Sequence, residues 1–229
     1  MARVVVTVMA PVPPSPSSIA PAAARVARLL RRSLRRPYRV RVLWPVPEDV
    51  DAVLGTADLA VHVISPDPED GDGYRAAVDH PGLVVLPDLD LRPVIEELVR
   101  ARDPVGRVAL AEAEASVAEP VWFAHAARRA RGVVVQDEET ARRLRDAGSR
   151  TPVFVVPFDD RGAAPLAGAV RSTLALVADP AETAIGRWAA ALSDVGIGQD
   201  ELIAEGYGLR YAEALDELRR SPAGEPARG

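Results

Sequence analysis

The stretch Leu83-Val-Val-Leu-Pro-Asp-Leu-Asp-Leu-Arg-Pro-Val-Ile-Glu-Glu-Leu-Val99 decides the fold of this chain. Its four consecutive apolar residues, bounded by prolines, predict a strand buried on both faces, and a helix follows to about Arg100. In an open parallel sheet, ligands bind beyond the carboxyl ends of the strands, so Asp88 is predicted to lie at the functional edge. The alternative interpretation is that Asp88 or Asp90 caps the helix.

Short apolar strands alternate with helices over most of the chain. Strands are predicted at residues 3–9, 38–43, 59–64, 83–86, 132–136 and 152–156, and helices at 19–36, 74–79, 121–131, 138–147, 163–177 and 181–194. This alternation is typical of an α/β fold with helices on both faces of a parallel sheet. We predict a doubly wound, mostly parallel, Rossmann-like domain over 1–158, a helical extension packing back on it over 159–220, and a disordered tail over 221–229.

Missing residue types exclude several kinds of chemistry. All 28 basic residues are arginine, which excludes Schiff-base lysine chemistry and a P-loop lysine. The absence of cysteine excludes disulfides, thiolate catalysis and cysteine-ligated metals. The histidines at 62, 80 and 125 lack the spacing of a metal motif. No metal and no cofactor are therefore expected.

The loop Pro11-Val-Pro-Pro-Ser-Pro-Ser-Ser18 joins the first strand to the first helix. Helix N-termini bind anions, so this loop, with Ser17 and Ser18, is a candidate substrate-binding site at the top of the first strand. Pro21 fits the first turn of the helix. The alternative is an ordinary N-cap, in which one of the two serines accepts a hydrogen bond from a free helical amide.

The first helix carries its arginines on one side. Val26, Leu30 and Leu34 recur every four residues as an apolar stripe. The opposite stripe consists of Arg25, Arg28, Arg32 and Arg35. Nine of the 28 arginines and none of the 33 acidic residues precede Glu48, so the remainder of the chain carries a net charge of −14. A solvated helix face is the usual interpretation, and contact with an anionic membrane surface is the alternative.

The sequence also bears on localisation. It has no run of eighteen apolar residues, and its first apolar stretch, Val4 to Ala10, ends at Pro11. Neither a membrane-spanning helix nor a signal peptide is supported by this pattern. We expect a cytoplasmic protein, with peripheral attachment to the inner face of the membrane if the arginine stripe binds lipid.

Four segments in order resemble the N-terminal half of a GT-B glycosyltransferase of the family 4 type. The first is the proline loop with Ile19-Ala20, and the second is His80-Pro-Gly-Leu-Val-Val-Leu-Pro-Asp-Leu-Asp-Leu91. The others are Arg131-Gly-Val-Val-Val-Gln-Asp137 and Thr151-Pro-Val-Phe-Val-Val-Pro157. The family patterns are P-x-x-x-G-I-A, H-P-G-V-V-V-L-H-D-x-x-L, V-I-V-H-S and P-V-x-V-I-P-H-G, and the resemblance covers residues 1 to about 158.

The resemblance implies an acceptor-side domain of a transferase that uses a nucleotide sugar. Asp88, implied as the catalytic residue, and the Ser17-Ser18 loop would then lie near the reaction cleft. The chain departs from the family where chemistry is expected: Ser18 replaces a glycine, Pro87 replaces the histidine before Asp88, and Gln136-Asp137 replaces a histidine-serine pair. A proline side chain cannot form a hydrogen bond, so Asp88 alone remains from the histidine-aspartate pair.

The C-terminal part is too short for the second domain of this fold, since only about 70 residues follow Pro157. The segment Glu205-Gly-Tyr-Gly-Leu-Arg-Tyr-Ala-Glu-Ala-Leu215 resembles the family's donor motif E-G-F-G-L-x-x-x-E-A, which places Glu205 and Glu213 at its two glutamate positions as candidate substrate-binding residues. The alternative is the C-terminal helix that GT-B enzymes send back across the N-terminal domain.

Three interpretations of function follow. In the first, the chain is half of a transferase, with a nucleotide sugar, an unknown acceptor and a donor domain supplied by another protein. In the second, it is a non-catalytic binding or scaffold module derived from such an enzyme, which either assists a full-length glycosyltransferase or binds a ligand in the same crevice. In the third, it is an unrelated doubly wound domain that shares only the sheet. No nucleic-acid partner is expected.

Overall fold

Six parallel strands form one sheet in the computed structural model, which describes residues 4–115 and 120–178. The strands are β1 Val4–Met9, β2 Tyr38–Leu43, β3 Leu59–Val63, β4 Leu83–Val85, β5 Gly132–Val135 and β6 Val153–Val155. Their order across the sheet is β2-β1-β3-β4-β5-β6. The chain builds outward from β1 to β2, then returns to the other side of β1 and continues in one direction. This confirms the predicted α/β, Rossmann-like fold and places a topological switch point between β1 and β3.

Eight α-helices connect or follow these strands in the described part of the chain. They are α1 Ala20–Ser33, α2 Val50–Gly55, α3 Gly71–Asp79, α4 Arg92–Arg100, α5 Pro104–Glu114, α6 Ala124–Arg129, α7 Glu138–Asp146 and α8 Ala163–Ala178. Two of them, α2 and α5, were not predicted from the sequence. Helix α5 nevertheless has a clear start signal, because Asp103 accepts a hydrogen bond from the amide of Val105 and Pro104 occupies the first turn.

The helices cover both faces of the sheet. One apolar core joins α1 and α8 to one face, and a second core joins α3, α4, α6 and α7 to the other. The central strand β4 contributes to both cores, because Leu83 and Val85 point into the first and Val84 into the second. All three side chains are fully buried, which is the burial on both faces that the apolar run predicts.

Helix α1 is shorter than predicted and is capped differently. Its apolar stripe is buried as expected, and Pro21 lies in its first turn. Its N-cap residue is Ile19, whose side chain cannot accept a hydrogen bond. The prediction that Ser17 or Ser18 caps this helix is therefore wrong. The helix ends at Ser33 instead of Arg36, and Pro37 restricts the residue before it to extended conformations.

Several predictions concern residues outside the described part of the chain. These are the helix at 181–194, the donor motif with Glu205 and Glu213, the returning C-terminal helix and the tail at 221–229. Helix α8, predicted at 163–177, is described: it packs against α1 and belongs to the same compact unit as the sheet.

Candidate ligand-binding site

A cleft of about 590 Å³ opens at the carboxyl edge of the sheet. We call it the Arg25 cleft. It lies between the first turns of α1, the end of β5 and the segment that follows β6. Its lining residues are Ser18, Pro21, Ala22, Arg25, Gln136, Asp137, Pro157, Phe158, Asp159 and Arg161. Small-molecule sites in open α/β sheets occur at this edge.

Arginine and aspartate side chains position the walls of the Arg25 cleft. Arg25 donates a hydrogen bond from Nη1 to the backbone oxygen of Phe158 at 2.8 Å, which joins α1 to the segment after β6. Arg161 pairs with Asp159 through Nε and Nη2 at 3.0 and 2.6 Å from Oδ2. Hydrogen bonds from Arg161 lower the pKa of Asp159, so this carboxylate is ionised at neutral pH.

Asp137 fixes the third wall because it is the N-cap of α7. Its Oδ1 accepts a hydrogen bond from the amide of Thr140 at 2.8 Å. This hydrogen bond lowers the pKa of Asp137. The cleft therefore contains two guanidinium groups and two carboxylates, which balance in charge, beside the neutral amide of Gln136.

A second polar group of side chains lies beside the cleft, between the loops that follow β1 and β3. We call Ser17, Ser65, Asp67 and Asp70 the switch-point cluster. Asp67 Oδ2 accepts hydrogen bonds from the hydroxyls of Ser17 at 2.7 Å and Ser65 at 2.9 Å. It also accepts from the amide of Ser18 at 2.6 Å and the hydroxyl of Ser18 at 3.0 Å. The cluster therefore joins two loops about fifty residues apart in sequence.

The two carboxylates of the switch-point cluster differ in electrostatic environment. Partial burial raises the pKa of Asp67, but the hydrogen bonds from Ser17, Ser65 and Ser18 outweigh burial, so this pKa lies below its usual value. Burial raises the pKa of Asp70, the Ser65 and Ser17 hydroxyls lower it, and the charges of Asp67 and Glu69 raise it again. The net effect raises the pKa of Asp70. Asp67 therefore gives up its proton at a lower pH than Asp70 does.

The predicted anion position beside α1 is filled by the protein itself. The amide of Ser18 donates to the Asp67 carboxylate, which occupies the place that the sequence assigned to a bound anion. Of the two predicted substrate-binding serines, Ser18 lines the Arg25 cleft, whereas Ser17 is 5% exposed and lies inside the switch-point cluster. Asp67 and Ser65 were missed because a single short loop after β3 gives no motif.

Asp88 is not among the residues that line the Arg25 cleft. It is exposed after β4, and its Oδ1 accepts a hydrogen bond from the amide of Asp90 at 2.9 Å. Asp90 in turn accepts from the amide of Arg92, the first residue of α4, at 3.2 Å. Both carboxylates thus stabilise the turn before α4, but neither is the N-cap of the helix, so the capping interpretation is wrong. The N-cap position itself belongs to Leu91.

All four arginines of the predicted stripe are exposed, although Arg35 lies beyond the end of α1 at Ser33. Two of its members bind the segment after β6: Arg25 contacts Phe158, and Arg32 Nη1 lies 3.2 Å from Asp160 Oδ1. The neighbouring helix α8 contains no acidic residue and adds the exposed Arg171. This side of the described domain is therefore rich in positive charge.

The membrane interpretation of this stripe leads to a direct test. If the stripe contacts lipid, replacing Arg25, Arg28, Arg32 and Arg35 by glutamine should abolish sedimentation with anionic vesicles. Each arginine near the headgroups contributes about 1 kcal/mol, and salt screens the attraction. The control replaces four arginines elsewhere, Arg102, Arg107, Arg142 and Arg150, by glutamine. A wild-type protein that stays in the supernatant at low salt would establish a solvated helix face.

The described residues contain neither a group of three metal-ligating acids and histidines nor a membrane-spanning helix. Within 4–115 and 120–178, no three histidine or acidic side chains come together as a metal site. No helix in these ranges combines the length and apolar character that crossing a bilayer requires. Glu205 and Glu213 lie outside the described residues.

Comparison with known proteins does not identify a family for this chain. No protein-family model matches the chain, and no curated protein matches it. The structure therefore establishes a Rossmann-like α/β fold, while the resemblance to glycosyltransferases rests on the four sequence segments.

Proposed function

We propose that this domain binds a hydroxyl-rich acceptor in the Arg25 cleft, as the acceptor-side half of a nucleotide-sugar-dependent glycosyltransferase whose donor domain belongs to another chain. The observation that carries the proposal is the position and size of the cleft. It opens beyond the carboxyl ends of a parallel sheet, and its volume of about 590 Å³ falls within the usual range for small-molecule sites.

The chemistry of the cleft favours a neutral, polar ligand. Sugar hydroxyls both donate and accept hydrogen bonds, so they can pair with the guanidinium of Arg25, the amide of Gln136 and the carboxylate of Asp137 at the same time. Because the charges of the lining balance, a multiply charged anion would gain little net attraction. Apolar groups of Pro21, Ala22 and Pro157 supply the remaining wall.

One observation favours the second candidate, a binding module without catalysis. Asp88 is absent from the lining of the cleft and stabilises a turn, and Pro87 has no polar side-chain atom. A domain of this kind would hold an acceptor for a full-length glycosyltransferase. In both candidates the ligand lies in the Arg25 cleft, and they differ in whether transfer follows.

Binding is tested with a panel of mono- and disaccharides and nucleotide sugars, using ligand-observed NMR and calorimetry on the full chain. We expect a saccharide ligand whose affinity falls roughly 10- to 100-fold in Arg25→Gln, because a hydrogen bond to a charged group contributes about 1.5–3 kcal/mol. In Gln136→Ala the affinity should fall roughly 2- to 10-fold, because a neutral hydrogen bond contributes about 0.5–1.5 kcal/mol. Arg28→Gln, one turn further along α1 and outside the cleft, is the matched control and should bind normally.

Two results would contradict the proposal. The first is that no saccharide binds, or that binding is unaffected by both cleft variants. The second concerns catalysis: the purified chain alone should not transfer sugar from any nucleotide donor, since most of the donor apparatus expected from the resemblance is missing. Robust turnover by this single polypeptide would show that no partner is needed.

A further inference from the structure

One buried carboxyl oxygen of the switch-point cluster has no hydrogen-bond partner among the described residues. Asp70 is 4% exposed, and its Oδ2 receives no hydrogen bond from the part of the chain that the structure describes. Burial raises the pKa of Asp70, and the hydroxyls of Ser65 and Ser17, which lie beside its carboxyl group, lower it. Buried polar groups in proteins are almost always paired with protein atoms, water or ions, so this oxygen calls for a bound species.

Counting protons shows what kind of species fits. The hydroxyls of Ser17 and Ser65 both lie within hydrogen-bond distance of Asp67 Oδ2, at 2.7 and 2.9 Å. When both donate their single proton to this carboxylate, neither has a proton left for the other. Their oxygens are nevertheless only 3.0 Å apart. Lone pairs of the two serines then lie close together, in a place where a positive charge would stabilise them.

The spacing of the serine oxygens indicates the size of that charge. Mg²⁺ binds oxygen ligands in an octahedron at about 2.0–2.1 Å, so adjacent ligands are separated by about 2.9 Å. Ca²⁺ binds at about 2.4 Å, which would separate adjacent ligands by about 3.4 Å. The observed 3.0 Å, which is also an ordinary distance for a hydrogen bond between two hydroxyls, lies nearer the spacing expected for the smaller ion.

We propose that Ser17, Ser65, Asp67 and Asp70 form a Mg²⁺ site at the switch point between β1 and β3. All four side chains offer oxygen, the ligand that hard divalent cations prefer, and Mg²⁺ is commonly held by one or two carboxylates with waters in the remaining positions. In this arrangement the two serine hydroxyls donate to Asp67 Oδ2, while their lone pairs and the Asp70 carboxylate face the cation. The site is independent of the Arg25 cleft and does not rest on the proposed function.

A proton on Asp70 is the main competing explanation, and the geometry disfavours it. An O–H group at Oδ2 would need an acceptor, but this oxygen has neither a donor nor an acceptor partner among residues 4–115 and 120–178. A neutral Asp70 would therefore leave a buried donor unpaired, which costs about 1–3 kcal/mol. A cation satisfies the same oxygen and the two serines together.

Cation binding is tested on the full chain with Mn²⁺, a paramagnetic substitute for Mg²⁺ that EPR can count. We expect one bound Mn²⁺ per chain, displaced by excess Mg²⁺. Asp70→Asn should weaken Mn²⁺ binding by about 100-fold or more, since even residues that merely support metal ligands contribute 10–100-fold. Ser65→Ala is a second, uncharged variant and should weaken binding at least about 10-fold. Asp72→Asn, an exposed acid of α3 paired with Arg75, is the control and should bind normally.

Thermal unfolding supplies a readout that a purely structural role would not give. Mg²⁺ should raise the Tm of the wild type by about 3 °C or more and leave Asp70→Asn unchanged. Without metal, Asp70→Asn should be at least as stable as the wild type, because it removes an uncompensated buried carboxyl. Wild-type protein that binds no Mn²⁺ at millimolar concentration, or variants that bind it normally, would overturn the proposal.

Discussion

Replacing Leu83 by alanine is expected to lower the free energy of unfolding by about 3 kcal/mol, within the 2–5 kcal/mol range for buried leucine to alanine changes. Leu83 is fully buried in β4, and its neighbour across the ladder is Gly132 in β5. A Cβ built on Gly132 would lie 3.1 Å from Leu83 Cδ1, so this leucine fills the space that the glycine leaves. The substitution removes the only side chain of the pair and leaves a cavity.

Urea unfolding followed by circular dichroism measures this effect. Val108→Ala is the matched control, since Val108 is an aliphatic residue that is 49% exposed on α5. Its substitution should change the free energy of unfolding by no more than about 0.5 kcal/mol. Equal effects of the two substitutions would mean that Leu83 is not buried in the core that α1 and α8 cover.

Acid should destabilise the protein through His62. This histidine is 1% exposed in β3, and its Nε2 bonds the backbone oxygen of His80 at 2.9 Å. Burial lowers the pKa of His62 to about 4, although the bond to His80 raises it and the charge of His80 lowers it further. The unfolded chain takes up the proton near pH 6.5, whereas the folded chain resists it. The contribution of neutral His62 to the free energy of unfolding is therefore fully present above pH 6.5 and decreases as the pH drops. By about pH 4 it is lost, which lowers the free energy of unfolding by about 3 kcal/mol.

The variant His62→Gln isolates this contribution. A glutamine amide can donate to the His80 oxygen in place of Nε2 but does not titrate. Between pH 7 and pH 4, the free energy of unfolding of the wild type should fall by about 3 kcal/mol more than that of His62→Gln. Carboxyl groups titrate in both proteins, so their contribution cancels in the difference. Parallel pH profiles for the two proteins would show that folding does not lower the pKa of His62.

Local sequence pattern predicted most of the fold, and its failures have identifiable causes. The β2 prediction, 38–43, agrees with the structure at both ends, because alternation and flanking prolines define it. Helix α2 was missed because its six residues are too few to show a helical period. The predicted ends of α1 differ from the observed ends by one residue at the start and three at the end. At the start, Ser17 and Ser18 resemble helix caps but bind Asp67 instead.

The candidate site was only partly accessible from sequence. Ser18 was identified because it follows β1, and the same rule applied to β5 and β6 would have identified Gln136 and Asp159. The contact between Arg25 and Phe158 joins residues 133 positions apart and follows from the path of the chain after β6, which no local pattern encodes. Asp70 could not be identified from the sequence, because its distinguishing property is a buried Oδ2 without a hydrogen-bond partner among the described residues.

The all-parallel sheet also affects how the chain folds while it is being synthesised. Each strand pairing joins residues between 20 and 53 positions apart, as in Val133 with Val153 and Val6 with Leu59. No hairpin can therefore form early, and non-local pairing of this kind slows folding. At about 5–20 residues per second, the ribosome needs roughly 1–4 s to extend the chain from the end of β5 to the end of β6, and during this time β5 has an unpaired apolar edge. Yield in a host cell will consequently depend on chaperone capacity and growth temperature, even for variants whose finished fold is fully stable.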